Sequence, residues 1–211
     1  PMHAADRPDA FSAFVLKGAA ILWFLVAVAG QGVFAYYIAV FYGGAALADD
    51  WEAWSRRLIN GIIEGDPVGN ASLIIHLALA FVITVLGPLQ FVPAIRSAVP
   101  VVHRWIGRTY IVTAVVISLG ALHIVLDRGI LGRWNEIAIS FNAVLLLAAA
   151  LLTIRAAMTR RFDAHRRWAL RTFMLASGVW FFRLGIGLWA LLTQGEMHGM
   201  TRQLSGWFDV T

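Results

Sequence analysis

Residues 137–154 read IAISFNAVLLLAAALLTI. These 18 residues carry no charge. A run of roughly 18 or more apolar residues is long enough to cross the hydrocarbon core of a bilayer as an α-helix. A helix is also one of the few forms that satisfies its own backbone there. Working outward from this run, which lies within Ile137–Met158, four more stretches have the same character: Phe14–Tyr42, Ala71–Val92, Trp105–Leu126 and Trp168–Thr193. The expected fold is therefore all-α, an integral membrane helical bundle with five transmembrane helices. Residues 1–211 read as a single membrane domain, with 1–13 as a cytoplasmic N-terminal segment and 194–211 as an outer tail carrying Trp207 and Phe208. The first stretch is too long for the apolar region of a signal peptide, which runs about 7–15 residues.

Composition agrees. The 211 residues are 60% hydrophobic and 14% charged, with mean hydropathy +0.73, against about 25% charged in soluble domains. The absence of cysteine excludes disulfide frameworks, thiolate zinc sites, iron–sulfur clusters and cysteine-attached haem. The net charge of +5 does not point to nucleic acid, because the basic residues sit between apolar spans, where membrane topology accounts for them.

That topology can be read from the side on which the cations fall. With the N-terminus inside, the inner segments hold Arg7, Lys17, Arg96, Arg104, Arg108, Arg155, Arg160, Arg161, Arg166, Arg167 and Arg171. The outer segments hold only Arg56, Arg57, Arg128, Arg133 and Arg202, and Arg183 lies within the last span. The positive-inside rule places the N-terminus inside and the C-terminus outside of a multi-pass membrane protein. The long outer loop contains Asp49–Gly65, where Trp51, Trp54, Leu58 and Ile62 recur at helical spacing. Asp49 or Asp50 can cap it, and its tryptophans suit an amphipathic helix lying in the outer interface.

The chain echoes itself. Arg104-Trp105-Ile106-Gly107-Arg108-Thr109-Tyr110 parallels Arg167-Trp168-Ala169-Leu170-Arg171-Thr172-Phe173, each copy standing where the chain enters a span from the inside. Arginines four apart share a helix face. Arg104, Arg108, Arg167 and Arg171, beside Trp105 and Trp168, read either as an anchor on inner-leaflet phosphates or as an inner binding site for an anionic group. The repeat implies two related hairpins, spans two–three and four–five, packed as a four-helix unit with the first span added.

The stretch Gly87-Pro88-Leu89-Gln90-Phe91, then His103-Arg104-Trp105-Ile106-Gly107-Arg108-Thr109-Tyr110, then His165-Arg166-Arg167-Trp168-Ala169-Leu170-Arg171 resembles the domain-of-unknown-function 2306 family of predicted bacterial membrane proteins. The resemblance covers about residues 70–192. It implies a multi-pass helical domain of a bacterial inner (cytoplasmic) membrane and no established activity. The histidine–arginine–tryptophan block is also similar to histidine motifs of transmembrane b-type cytochromes.

Polar groups within spans are costly and usually face inward. Each expected span has one strong polar group on the outer side of its centre: Gln31, His76, His123, Asn142 and Arg183. At about 1.5 Å per residue they lie roughly 5–12 Å outside the midplane. They read either as separate interhelical hydrogen bonds or as one outer-leaflet pocket. No span has an acid in its interior, so Arg183 would need Asp127, Glu136 or a bound anion. Gly30 and Gly32 beside Gln31, and Gly185 with Gly187, suit close helix packing.

Three function classes follow. In the first, His76 and His123 ligate the iron of a b-type haem in an electron-transfer subunit that can exchange electrons with a quinone. In the second, the chain is a non-catalytic structural or assembly subunit among other membrane subunits. In the third, it carries or binds a lipid, quinone or other small molecule in the outer pocket. A second haem between His103 and His165 is opposed by geometry, since His103 and His123 lie about 30 Å apart on one helix and face opposite sides. No catalytic motif is present: the sequence has no HExxH, no phosphate loop and no GxSxG.

Overall fold

A computed structural model of the chain describes residues 10–58, 61–129 and 132–192. Among them there is no strand. The helices are α1 (Ala10–Tyr37), α2 (Gly44–Leu47), α3 (Trp51–Arg57), α4 (Pro67–Leu89), α5 (Pro93–Ala98), α6 (Pro100–Arg128), α7 (Arg133–Met158) and α8 (Phe162–Leu192). A π-helical turn, Ile38–Gly43, joins α1 to α2, giving one continuous helical run, Ala10–Leu47. Among the described residues, four segments are long and apolar enough to cross a membrane: Ala10–Leu47, Pro67–Leu89, Pro100–Arg128 and Arg133–Met158.

The helix ends follow from their residues. Asp66 caps α4 by accepting from the Gly69 N–H at 2.8 Å, and Pro67 takes the first helical position, where its missing donor costs nothing. Pro100 starts α6 in the same way. Between α6 and α7 the chain turns at Gly129 and Gly132, with φ of +66° and +86°, a region that side chains other than glycine's rarely enter.

α6 lies between α4 and α7, α8 lies along α7, and α4 and α8 also touch. These four helices enclose a core of Ile83, Tyr110, Ala114, Leu146 and Ala150. Small residues on α7, among them Ala143, Ala149 and Ala150, are buried. With lipid tails as apolar as leucine, close backbone approach and dispersion hold such a bundle together. Large apolar side chains such as Phe14, Val33, Leu119 and Phe141 point outward and are exposed. The expected four-helix unit with one added helix is thus the observed architecture. α1 packs on α4 and α8 and buries only Ala27, Gln31 and Ala35 of its length.

The loop helix differs from expectation. Asp50 does cap it, accepting from the Ala53 N–H at 3.1 Å, but it covers only Trp51–Arg57 rather than Asp49–Gly65. Beyond it the chain folds back, with Ser55 Oγ accepting from the Ile62 N–H at 3.1 Å. Gly61 lies against the Ser55 backbone, where a Cβ would not fit. Trp54 is 3% exposed and donates from its indole N–H to the Tyr42 carbonyl at 3.1 Å. It packs with Tyr42, Leu73 and Leu77, so this tryptophan closes one end of the bundle and does not face a headgroup layer.

The same end holds a knot around Arg128, whose side chain is 3% exposed. Its guanidinium donates to Asp66 at 2.5 and 2.9 Å, to Asn70 at 2.7 Å and to the Gly61 carbonyl at 2.9 Å. Gly69 makes room for it, since a Cβ there would collide with the guanidinium. The Gly69 N–H, then Arg128, hold the Asp66 carboxyl below its ordinary value of 3.8, because both favour the charged form.

Candidate functional site

The two copies of the repeat start α6 and α8 and have matching geometry. The Arg108 guanidinium lies 5.1 Å from the centre of the Trp105 ring, and Arg171 lies 4.5 Å from that of Trp168. An arginine three residues after a tryptophan reaches back over its ring along the same helix face. Arg104, Arg108, Arg167 and Arg171 are all exposed. None of the four forms an ion pair among the described residues. Nearby, His165 Nδ1 meets the Thr153 carbonyl at 3.1 Å, and the Thr153 and Thr172 hydroxyls lie 2.9 Å apart. That contact joins α7 to α8. Gln90 Nε2 donates to the His103 carbonyl at 3.4 Å, tying the end of α4 to the start of α6.

The last residue of each copy points into the bundle. Tyr110 and Phe173 are both buried and converge on Gly87, where a Cβ would stand 3.2 Å from Tyr110 and 3.1 Å from Phe173. Beside them is a small, partly open pocket lined by Gln31 of α1, Ile83 and Thr84 of α4, Tyr110 of α6, and Phe173, Ala176, Ser177 and Trp180 of α8. Its free space is about 10 Å³, the room of a single water molecule. Gln31 Nε2 donates to Ser177 Oγ at 2.5 Å, and Ser177 Oγ donates to the Phe173 carbonyl at 2.7 Å. Thr84 Oγ1 donates to the Ala80 carbonyl at 2.6 Å. The Tyr110 hydroxyl is buried without a hydrogen-bond partner.

Of the residues singled out from sequence, Gln31 lines this pocket, 4% exposed. Asn142 is half-buried, with its Oδ1 3.9 Å from where a Cβ of Gly178 would stand, one residue beyond Ser177. Neither His76 nor His123 lines the pocket. His76 is half-buried and His123 exposed. The Arg183 side chain, Gly187 and the tail 194–211 lie outside the described residues. Gly30 fulfils its packing role, since the Trp180 indole occupies the place of its Cβ, whereas Gly32 and Gly185 have no such neighbour.

In the sequence Tyr110 stands only as the end of a repeat, Thr84 only as a threonine within an apolar run and Trp180 only as one aromatic among several in the last span, and Ser177 carries no signal of its own. The signal was the aromatic that closes each repeat, Tyr110 in one copy and Phe173 in the other. A hydroxyl present in only one copy of a duplicated core position asks for a separate reason.

The sequence profile of a family described as "Predicted membrane protein (DUF2306)" matches residues 73–211. No curated protein and no solved structure matches the chain.

Proposed function

The chain belongs to the DUF2306 family of predicted membrane proteins, and on that premise we propose that it is a five-span, non-catalytic protein of a bacterial inner membrane that grips anionic lipid headgroups at its cytoplasmic face. α8, 31 residues long, would be the fifth span, and the N-terminus would be inside. The reading rests on one observation: two matched arginine–tryptophan cradles stand at the same end of the bundle, exposed and without acidic partners among the described residues. Unpaired arginines beside membrane-level tryptophans suit lipid phosphates, each arginine near an anionic surface contributing about 1 kcal/mol. Such a protein would serve as a structural subunit whose inner face recruits particular lipids.

The test replaces Arg104, Arg108, Arg167 and Arg171 together with glutamine and weighs the anionic phospholipid that co-purifies in mild detergent. A salt-sensitive fall to well under half of the wild-type amount is expected, and an unchanged lipid complement refutes the reading. The absence of cysteine makes orientation easy to probe. A cysteine at Ser55 should react with an impermeant maleimide in intact spheroplasts, and one at Ser97 only after lysis. The reverse pattern would invert the topology. The electron-transfer alternative keeps His76 and His123 as haem ligands. It requires a b-type reduced-minus-oxidised spectrum that both His76→Ala and His123→Ala abolish.

A further inference from the structure

The hydrogen-bond balance of the small pocket is uneven. Each hydroxyl carries one proton and can accept as well. The Ser177 proton is spent on the Phe173 carbonyl, the Thr84 proton on the Ala80 carbonyl, and one of the two Gln31 amide protons on Ser177. The Tyr110 hydroxyl retains its proton, 5% exposed and unpartnered. A buried donor without an acceptor is costly, so such groups ask for an explanation. The remaining walls, Ile83, Phe173, Ala176 and Trp180, are apolar or aromatic.

The surroundings also specify how a guest would arrive. The α1 wall is the loosely held one. It buries three residues along its whole length; at this level it rests on the Gln31–Ser177 bond and on Trp180 against Gly30, and two turns away on the rings of Trp23 and Phe24 against Phe173. The rest of α1 presents apolar side chains outward, including Leu22, Leu25, Val26 and Val33. A seam lined in this way opens toward hydrocarbon, not toward water.

We infer that the pocket between α1, α4, α6 and α8 is a binding site for the carbonyl oxygen of an apolar, membrane-dissolved molecule, which accepts a hydrogen bond from Tyr110. Binding parts α1 from α8, because the closed pocket has room for about one water. Trp180 then flanks the guest, and a flat ring carbonyl such as that of a quinone suits an aromatic wall. An acyl ester offers the same acceptor from a lipid. The site is separate from the arginine cradles and does not depend on them.

The experiment titrates the full chain in detergent with decylubiquinone, and in parallel with a monoacylglycerol, reading melting temperature and tryptophan fluorescence. Saturable binding of decylubiquinone is expected, with tryptophan quenching. Tyr110→Phe, which keeps the ring, should weaken it at least tenfold. If the monoacylglycerol binds with the same dependence on Tyr110, the site stands and the lipid is its source of carbonyl. An azido-quinone provides a check on the unmutated protein. Its label should fall in the tryptic segments that line the pocket, 18–56, 58–96, 109–128 or 172–183. Binding that is indifferent to Tyr110→Phe, label confined to other segments, or no binding by either probe overturns the inference. The last result would leave the pocket to a water molecule.

Discussion

Tyr110→Phe should stabilise the unliganded protein. Tyr110 is packed against Ile83, Ala114, Leu146 and Ala150, and its hydroxyl meets no acceptor. Leaving a buried donor unsatisfied costs about 1–3 kcal/mol in a soluble interior. Within a bilayer the unfolded reference state finds partners too, and measured interhelical polar terms average about 0.6 kcal/mol. Phenylalanine keeps the ring contacts with Gly87 and removes only the oxygen beside an existing pocket, so little new cavity forms. The net expectation is a gain of about 0.5–1 kcal/mol, or a rise of roughly 1–4 °C at about 2–4 °C per kcal/mol. Reversible unfolding in mixed micelles, followed by circular dichroism, measures it. Tyr110→Ala is the contrast, with an expected loss of about 3–5 kcal/mol, the usual cost of truncating a buried aromatic. Should Tyr110→Phe lose 1 kcal/mol or more, the hydroxyl has a partner in the unliganded state, and its isolation is wrong.

Three further outcomes are expected. Gly30→Ala places a methyl group where the Trp180 indole lies, so it should cost about 1–3 kcal/mol as overpacking does. Trp180→Ala in the same chain should recover part of the loss, and strictly additive effects in that pair would count against the contact. Asp66 is held below its ordinary value by the Gly69 N–H and Arg128. A carboxyl depressed in the folded state contributes stability above its unfolded value and loses it as pH falls through the folded one. The melting-temperature difference between wild type and Asp66→Asn should therefore be constant from neutral pH to about pH 5 and shrink below about pH 4. A difference undiminished at pH 2.5 would contradict it. Thr153→Val with Thr172→Val removes the hydroxyl pair between α7 and α8. Each should lose about 0.5–1.5 kcal/mol with coupling between them in a double-mutant cycle, whereas zero coupling would mean the pair contributes only packing.

Much of the fold was legible because span formation is a local matter of length and hydropathy. The run 137–154 dictates a helix whatever its neighbours do, and the pairing of the two hairpins was visible in the arginine–tryptophan echo. The loop helix was overextended because the spacing of Trp51, Trp54, Leu58 and Ile62 satisfies a helical template. Only the fold-back of Ile62 onto Ser55 and the burial of Trp54 under Tyr42 show the chain leaving that template. Arg128 counted merely as an outer charge until the folded chain brought Asp66, Asn70 and Gly61 around it.

Strong polarity was also a poor guide to the pocket. Gln31 was found because it stands out within an apolar run. His76 and His123 stand out equally, yet neither lines the pocket. Tyr110, Thr84 and Ser177 are unremarkable in hydropathy, and their relation depends on four helices meeting at one level. The sequence by itself determined that the chain is helical, that it belongs in a bilayer, and that the starts of its third and fifth expected spans echo each other, since these follow from composition and from repetition along one chain. Which hydroxyls are spent, which one is left, and where the space beside it lies were decided by tertiary structure alone, because hydrogen-bond balance is a property of neighbours that the order of residues does not specify.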